Sequence, residues 1–316
     1  MEIVLVANEK GGVGKSATVH SLANALKGLG YRVLAVDFDP SGNLSRAVLP
    51  DAPQWVLYDV FRGYCKLDSA IYHTEVCDIL PTIKELDLNA DPTGFLLDPN
   101  MSKSLTQLAN QMESLKSGNE LFLRNLLRNE SHNLASRYDF ILIDSAPSDN
   151  ILVTNAIVAA DRIIIPCEPS QTGLDGVWMF ISSYTTTRRS YIHAKAEIDG
   201  IVMTKYTEDG ANFKESIQQI REKTQQNDLY LYNTVMRMSN NVAHAMGNCR
   251  PILSYLDDVI GAGNGPVDAL NLALEFLSAR GLEPKVEFPG VQRDENGDLF
   301  YAKPKKVRKE TTEDEL

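Results

Sequence analysis

The chain has 316 residues, 43% of them hydrophobic and 23% charged, with a formal net charge of −11. That composition excludes wholesale disorder, and the acidity excludes a surface broadly attractive to nucleic-acid phosphates, so any such contact has to be local. Four dispersed cysteines (Cys65, Cys77, Cys167, Cys249) exclude a Cys-x-x-Cys zinc site, and no apolar run approaches the roughly 20 residues of a membrane span.

In chain order, the β-branched runs 3–7, 32–37, 76–80, 140–144, 162–166, 198–204 and 229–233 read as strands. Segments 15–29, 120–134, 174–188, 212–226 and 266–280 read as helices, the last with Leu270, Leu274 and Leu277 on one face. Near-continuous apolar strands separated by helices predict an α/β fold with a doubly wound, mostly parallel sheet covered on both faces. Residues 1–281 are expected to form one domain, interrupted by a polar surface insertion at about 91–118 that holds a helix over 104–116. Residues 282–316 carry Pro284, Pro289, Pro304 and a basic cluster (Lys303, Lys305, Lys306, Arg308, Lys309), and are expected to be a mobile charged tail. MEIVLVAN has no basic n-region ahead of it, so the expected location is cytoplasmic.

The first strand runs into NEKGGVGKSA, residues 8–17, which opens directly into a helix. Gly11, Gly12 and Gly14 let the backbone approach a polyphosphate and turn successive N–H groups inward, around Val13 and on to Ala17. The following helix presents its partial positive end to the same anion. In this strand–loop–helix setting Lys15 bridges the β- and γ-phosphates and Ser16 offers its hydroxyl to Mg²⁺. A glycine turn that merely joins strand to helix leaves the Lys-Ser pair unexplained. Four apolar residues ending in Asp144, in YDFILID at 138–144, place a carboxylate at the tip of a buried strand, where a water-mediated Mg²⁺ contact is expected.

The compressed KGGVGKS form resembles the deviant Walker A loop of the ParA/MinD family of P-loop NTPases. VDFDPSGN at 36–43 is similar to that family's VDxDPQGN segment, and YDFILIDSAP at 138–147 to its YDYIIIDTPP. RIIIPCEPSQTGLDG at 162–176, NTV at 233–235 and RPI at 250–252 extend the resemblance to about residue 280. It implies ATP and Mg²⁺ as ligands, Lys10 as a charge acting across a dimer interface, Asp39 as the residue that positions the attacking water, and Asp37 and Asp39 as aids to the magnesium shell. Ser145 and Ala146 stand where the family has Thr-Pro. No NKxD guanine signature follows the strand at 198–204, which favours adenine; Thr204, Lys205 and Thr234 are positional candidates for holding the base.

The resemblance further implies slow ATP hydrolysis, an ATP-dependent homodimer that binds nonspecific double-stranded DNA and is nucleoid-associated when ATP-bound, a ParB-like centromere-binding partner, and a role in plasmid or chromosome segregation. Lys214, Arg221, Arg237 and Arg250 are the candidate DNA contacts, although solvated helix faces account equally for the first two, and Asn241 occupies a position that is basic in many relatives. A MinD-like membrane-recruited ATPase would need a terminal amphipathic anchor, which KETTEDEL does not offer. A metabolic or redox P-loop enzyme stays as a further alternative.

Overall fold

In the computed structural model, residues 1–83, 105–114, 118–147, 150–206, 211–256 and 264–303 are described. Eight strands form the main sheet: β1 (Glu2–Val6), β2 (Val33–Phe38), β3 (Tyr72–His73), β4 (Asp78–Leu80), β5 (Phe140–Ser145), β6 (Arg162–Cys167), β7 (Glu197–Tyr206) and β8 (Leu231–Arg237). Their order is β3-β4-β2-β5-β1-β6-β7-β8. Only β3, which pairs with β4, runs antiparallel; the remaining ladders are parallel.

Alternation along each strand feeds two cores. Ile3, Leu5, Leu34, Val36, Ile141, Ile143, Ile163 and Ile165 pack on one face, against the helices Ile151–Ala159 and Gln171–Ser190. Val4, Val6, Val33, Ala35, Leu142 and Ile164 pack on the other, against the helices Lys15–Gly28 and Gly265–Ser278. Burial on both faces is why these strands read as unbroken apolar runs. The chain leaves β1 toward β2 on one side and later places β6 on the other, so the sheet reverses its winding direction at β1. The crevice at the carboxyl ends of strands flanking such a point is where open α/β folds bind ligands.

Several expectations are corrected. The helix Ile151–Ala159 was not foreseen: eight of its nine residues are buried, so ILVTNAIVA shows no helical period. The segment 120–134 is not one helix but the helix Phe122–Arg128 followed by the short turns Glu130–His132 and Leu134–Arg137. The predicted strand at 229–233 sits later, at Leu231–Arg237. Within the expected surface insertion, the helix Leu105–Glu113 buries Leu105, Leu108 and Met112 in the first core, so this part is packed rather than superficial.

The expected mobile tail begins too early. A second, two-stranded sheet pairs β9 (Val291–Arg293) with β10 (Leu299–Tyr301), and Tyr301 is buried against the helix Gly265–Ser278. Tyr31 Oη donates to the Glu283 carbonyl at 2.6 Å, and the Lys285 amide donates to the Leu29 carbonyl at 2.9 Å. The basic residues 305–309 lie outside the described residues. Among the described residues no helix is long and apolar enough to cross a membrane.

Candidate functional site: a glycine loop over three carboxylates

The glycine loop leaves the end of β1 and caps the helix Lys15–Gly28. Gly14 takes φ 91°, a left-handed conformation that an L side chain rarely adopts, and forms the N-cap without any side-chain bond. The first-turn N–H groups are therefore presented to whatever occupies the loop. The Thr204 hydroxyl, at the end of β7, donates to the Val13 carbonyl at 2.7 Å and so braces the loop from below. Its side chain also lies 3.6 Å from the point where a Cβ on Gly14 would stand. Thr204 thus supports the phosphate loop rather than offering its hydroxyl to a base. Lys205 follows with φ 52°, at the register shift between Thr204 and Tyr206.

Lys15 is buried, and its Nζ donates to the carbonyls of Asn8 at 3.0 Å and Lys10 at 3.2 Å. Burial lowers its pKa, while the carboxylates of Asp144 and Asp39 pull the other way. The loop's own backbone thus aims this ammonium across its mouth. Two of its three N–H donors are satisfied there and its charge is poorly solvated, an arrangement that favours an incoming anion.

Opposite stand three carboxylates. Asp37 and Asp144 are register partners on the adjacent strands β2 and β5, both fully buried. Asp37 Oδ2 accepts from the Ser45 amide at 2.8 Å and hydroxyl at 2.5 Å, and Oδ1 accepts from the Asp39 amide at 3.2 Å. Asp37, expected beside the metal, is in this structure the anchor of the turn that carries Asp39. Ser45, which the sequence reading assigned no role, ties that turn further by accepting from the Thr82 amide at 3.1 Å. Asp39 is buried, with Oδ1 accepting from the Ser41 amide at 2.8 Å.

Asp144 is the exception to this economy of bonds. Both of its oxygens are buried and neither has a hydrogen-bond partner among the described residues. Burial first, and then the neighbouring Asp37, push its pKa well above the ordinary carboxylate range; the Ser16 hydroxyl, which lies near the carboxylate without meeting hydrogen-bond geometry, and Lys15 act against that shift. An unpartnered buried carboxylate costs free energy in any fold. Its retention beside a glycine loop and a buried lysine fits a divalent cation whose water shell would supply the missing donors.

The structure therefore brings Gly11, Gly12, Val13, Gly14, Lys15, Ser16 and Ala17 together with Asp37, Asp39 and Asp144. It does not bring Thr234 there. The Thr234 amide donates to Glu275 Oε2 at 2.8 Å, and Thr234 lines a groove of about 1030 Å³ shared with Glu2, Arg162 and Asp199, which contains no loop residue. Lys10 lies beside the loop, with its ammonium turned toward Glu168 and Thr172.

The four DNA candidates separate. Arg237 grips Asp268, with Nε 3.1 Å from each carboxylate oxygen and Nη2 2.5 Å from Oδ1, so its fork is engaged within the chain. The Asp268 side chain is only 4% exposed, so Arg237 is a structural partner before it is a phosphate contact. Arg237→Ala leaves that buried carboxylate uncompensated and should lower unfolding free energy by about 3 kcal/mol; a urea titration that moves by less than a third of this removes the structural assignment. Arg221 and Arg250 are exposed. Lys214 lies in the helix Ala211–Gln226, with its side chain outside the described residues.

The AAA domain family AAA_31 matches residues 1–198. Chromosome partitioning protein ParA of Caulobacter vibrioides is 29% identical over 280 residues, 88% of this chain and 94% of that protein. Chromosome-partitioning ATPase Soj of Treponema pallidum is 28% identical over 259 residues, 82% and 92% of the two. Among solved structures, the ATP complex of Cyanothece McdA superposes with a TM-score of 0.66 at 20% identity, covering 91% of this chain and 99% of the other. Cobyrinic acid a,c-diamide synthase from Mycobacterium smegmatis, with bound ADP and magnesium, gives 0.64 at 21% identity, covering 91% and 100%. At these identities the two superpositions establish the fold.

Proposed function

The chain belongs to the AAA_31 family, of the ParA/MinD type, and we propose that it is a slow, Mg²⁺-dependent ATPase whose ATP-bound dimer holds nonspecific duplex DNA. Its task on this reading is segregation of a plasmid or chromosome together with a ParB-like partner. The observation that carries the nucleotide part is Asp144, buried without a hydrogen bond at the mouth of the glycine loop and beside Lys15. The partition part is supported by the relatives of Caulobacter and Treponema, whose similarity runs over more than four-fifths of the chain.

The loop amides and Lys15 would hold the triphosphate, and Ser16 with Asp144 would hold magnesium, which when bound supplies positive charge against the phosphates. Asp39, fixed by the turn that Asp37 and Ser45 secure, orients the attacking water. Lys15 neutralises charge as it develops, and Lys10 of a second copy adds to it, as supplied cations do in other phosphoryl-transfer sites. The output is a change in assembly state rather than a chemical product used elsewhere.

Sedimentation with ADP, ATP and a slowly hydrolysed analogue, with and without duplex DNA, tests this directly. Dimers and DNA binding should appear with ATP and the analogue but not with ADP, and binding should fall steeply with salt as counterions are released. Arg221→Ala and Arg250→Ala should each lower the slope of log affinity against log salt by about one. DNA binding indifferent to nucleotide would remove the switch, and ATP turnover that requires a small organic co-substrate would favour a metabolic enzyme.

A further inference from the structure

Lys10 does not extend into solvent. Its Nζ donates to Thr172 Oγ1 at 2.7 Å and to Glu168 Oε2 at 3.4 Å, while its amide donates to Asn8 Oδ1 at 2.8 Å. Asn8 Nδ2 donates in turn to the Pro166 carbonyl at 2.7 Å, joining the start of the loop to the end of β6. A second tether links the Ser183 hydroxyl to Glu9 Oε1. The helix Gln171–Ser190 lies this close because residue 176 is glycine: a Cβ there would stand 2.7 Å from Asn8 Oδ1 and 2.8 Å from Lys10 Cβ. The segment 162–176, whose part the sequence left unassigned, is thus built around the lysine.

We propose that Glu168 and Thr172 form a clasp that keeps the Lys10 ammonium on its own chain, and that opening this clasp is a step in nucleotide-dependent pairing of two copies. The proposal rests on the reading of Lys10 as a charge that acts across the pair. A lysine ammonium has three donors and one charge. With two donors directed at Thr172 and Glu168, and the charge balanced by the carboxylate, it cannot also serve a phosphate on another chain. Contacts made in the single chain and lost in the pair shift the equilibrium toward the single chain by what they contribute. The Lys10 and Glu168 side chains are 28% and 36% exposed, so the clasp is weak enough to open reversibly. Glu168 and Thr172 are positioning residues on this account; neither touches the nucleotide.

The test is the dimer dissociation constant in ATP and Mg²⁺, measured by analytical ultracentrifugation on the full chain. Thr172→Val and Glu168→Gln should each tighten pairing, and together by about a hundred-fold, because each of the two copies opens one exposed hydrogen bond and one exposed ion pair. ADP affinity of the single chain should stay unchanged, which also certifies folding. Thr172→Ser, which keeps the hydroxyl and leaves all charges in place, should pair as the parent does. Pairing that is unchanged or weaker in Thr172→Val overturns the clasp. If Lys10→Ala abolishes ATP-dependent dimers while Thr172→Val has no effect, the clasp alone fails; if Lys10→Ala dimerises as the parent does, the reading of Lys10 fails and the clasp with it.

Discussion

Lys15→Ala should abolish measurable nucleotide binding, so that titration calorimetry registers no heat up to millimolar ATP. The ammonium it removes is buried and fixed by the carbonyls of Asn8 and Lys10. It is also the cation that faces both Asp39 and Asp144. A phosphate bound in the loop would pair with this charge out of bulk water, and removing one partner of such a pair costs about 3–5 kcal/mol. That is roughly a 10²- to 10⁴-fold loss of affinity, enough to carry a ligand bound at about ten micromolar to a millimolar dissociation constant or weaker. Far-ultraviolet circular dichroism distinguishes a folded, empty protein from an unfolded one. Affinity within ten-fold of the parent would mean that Lys15 is a structural lysine of the loop, and the nucleotide reading would fall with it.

How much of this was legible in the sequence follows from the range of each interaction. The glycine loop and Asp144 were readable because their signals are local: a short motif at a strand end, and a carboxylate closing an apolar run. The parts that position them were not. Thr204 reaches Val13 across 191 residues, and Thr172 reaches Lys10 across 162; no periodicity or spacing marks either pair. Ser45 lies only eight residues from Asp37, yet a serine in a turn carries no indication of which carboxylate it will hold. The helix Ile151–Ala159 escaped for the opposite reason, since burial on all sides erases the polar face that reveals a helix. Low hydrophobicity read residues after 281 as mobile, but β9 and β10 are held by their ladder and by Tyr301, which mean composition does not register.

Asp144→Asn should make the nucleotide-free protein more stable at pH 7.5 while removing its stabilisation by Mg²⁺ and ATP. In the parent, two buried carboxylate oxygens lack any hydrogen bond among the described residues, and burial with Asp37 alongside raises the pKa. A carboxylate whose folded pKa is raised binds its proton more readily in the folded state. Its favourable contribution is complete below the unfolded value of about 3.9 and is lost as pH climbs toward the folded value. At pH 7.5, well above the unfolded value, the parent therefore bears a cost at that site that it does not bear in acid, and a neutral amide of the same shape should recover about 1–3 kcal/mol. His20 contributes a slope of the other sign, because burial pushes its pKa down to about 4. It is present in both proteins and cancels in the difference between their urea-derived stabilities, which reports Asp144 together with its neighbour Asp37, and that difference should shrink toward pH 4. With saturating ATP the parent should gain stability on addition of Mg²⁺ by mass action, and the asparagine variant should not. A variant that is less stable than the parent at pH 7.5 without nucleotide, or that keeps the Mg²⁺ response, would show that Asp144 holds the fold together rather than reserving a place for the cation.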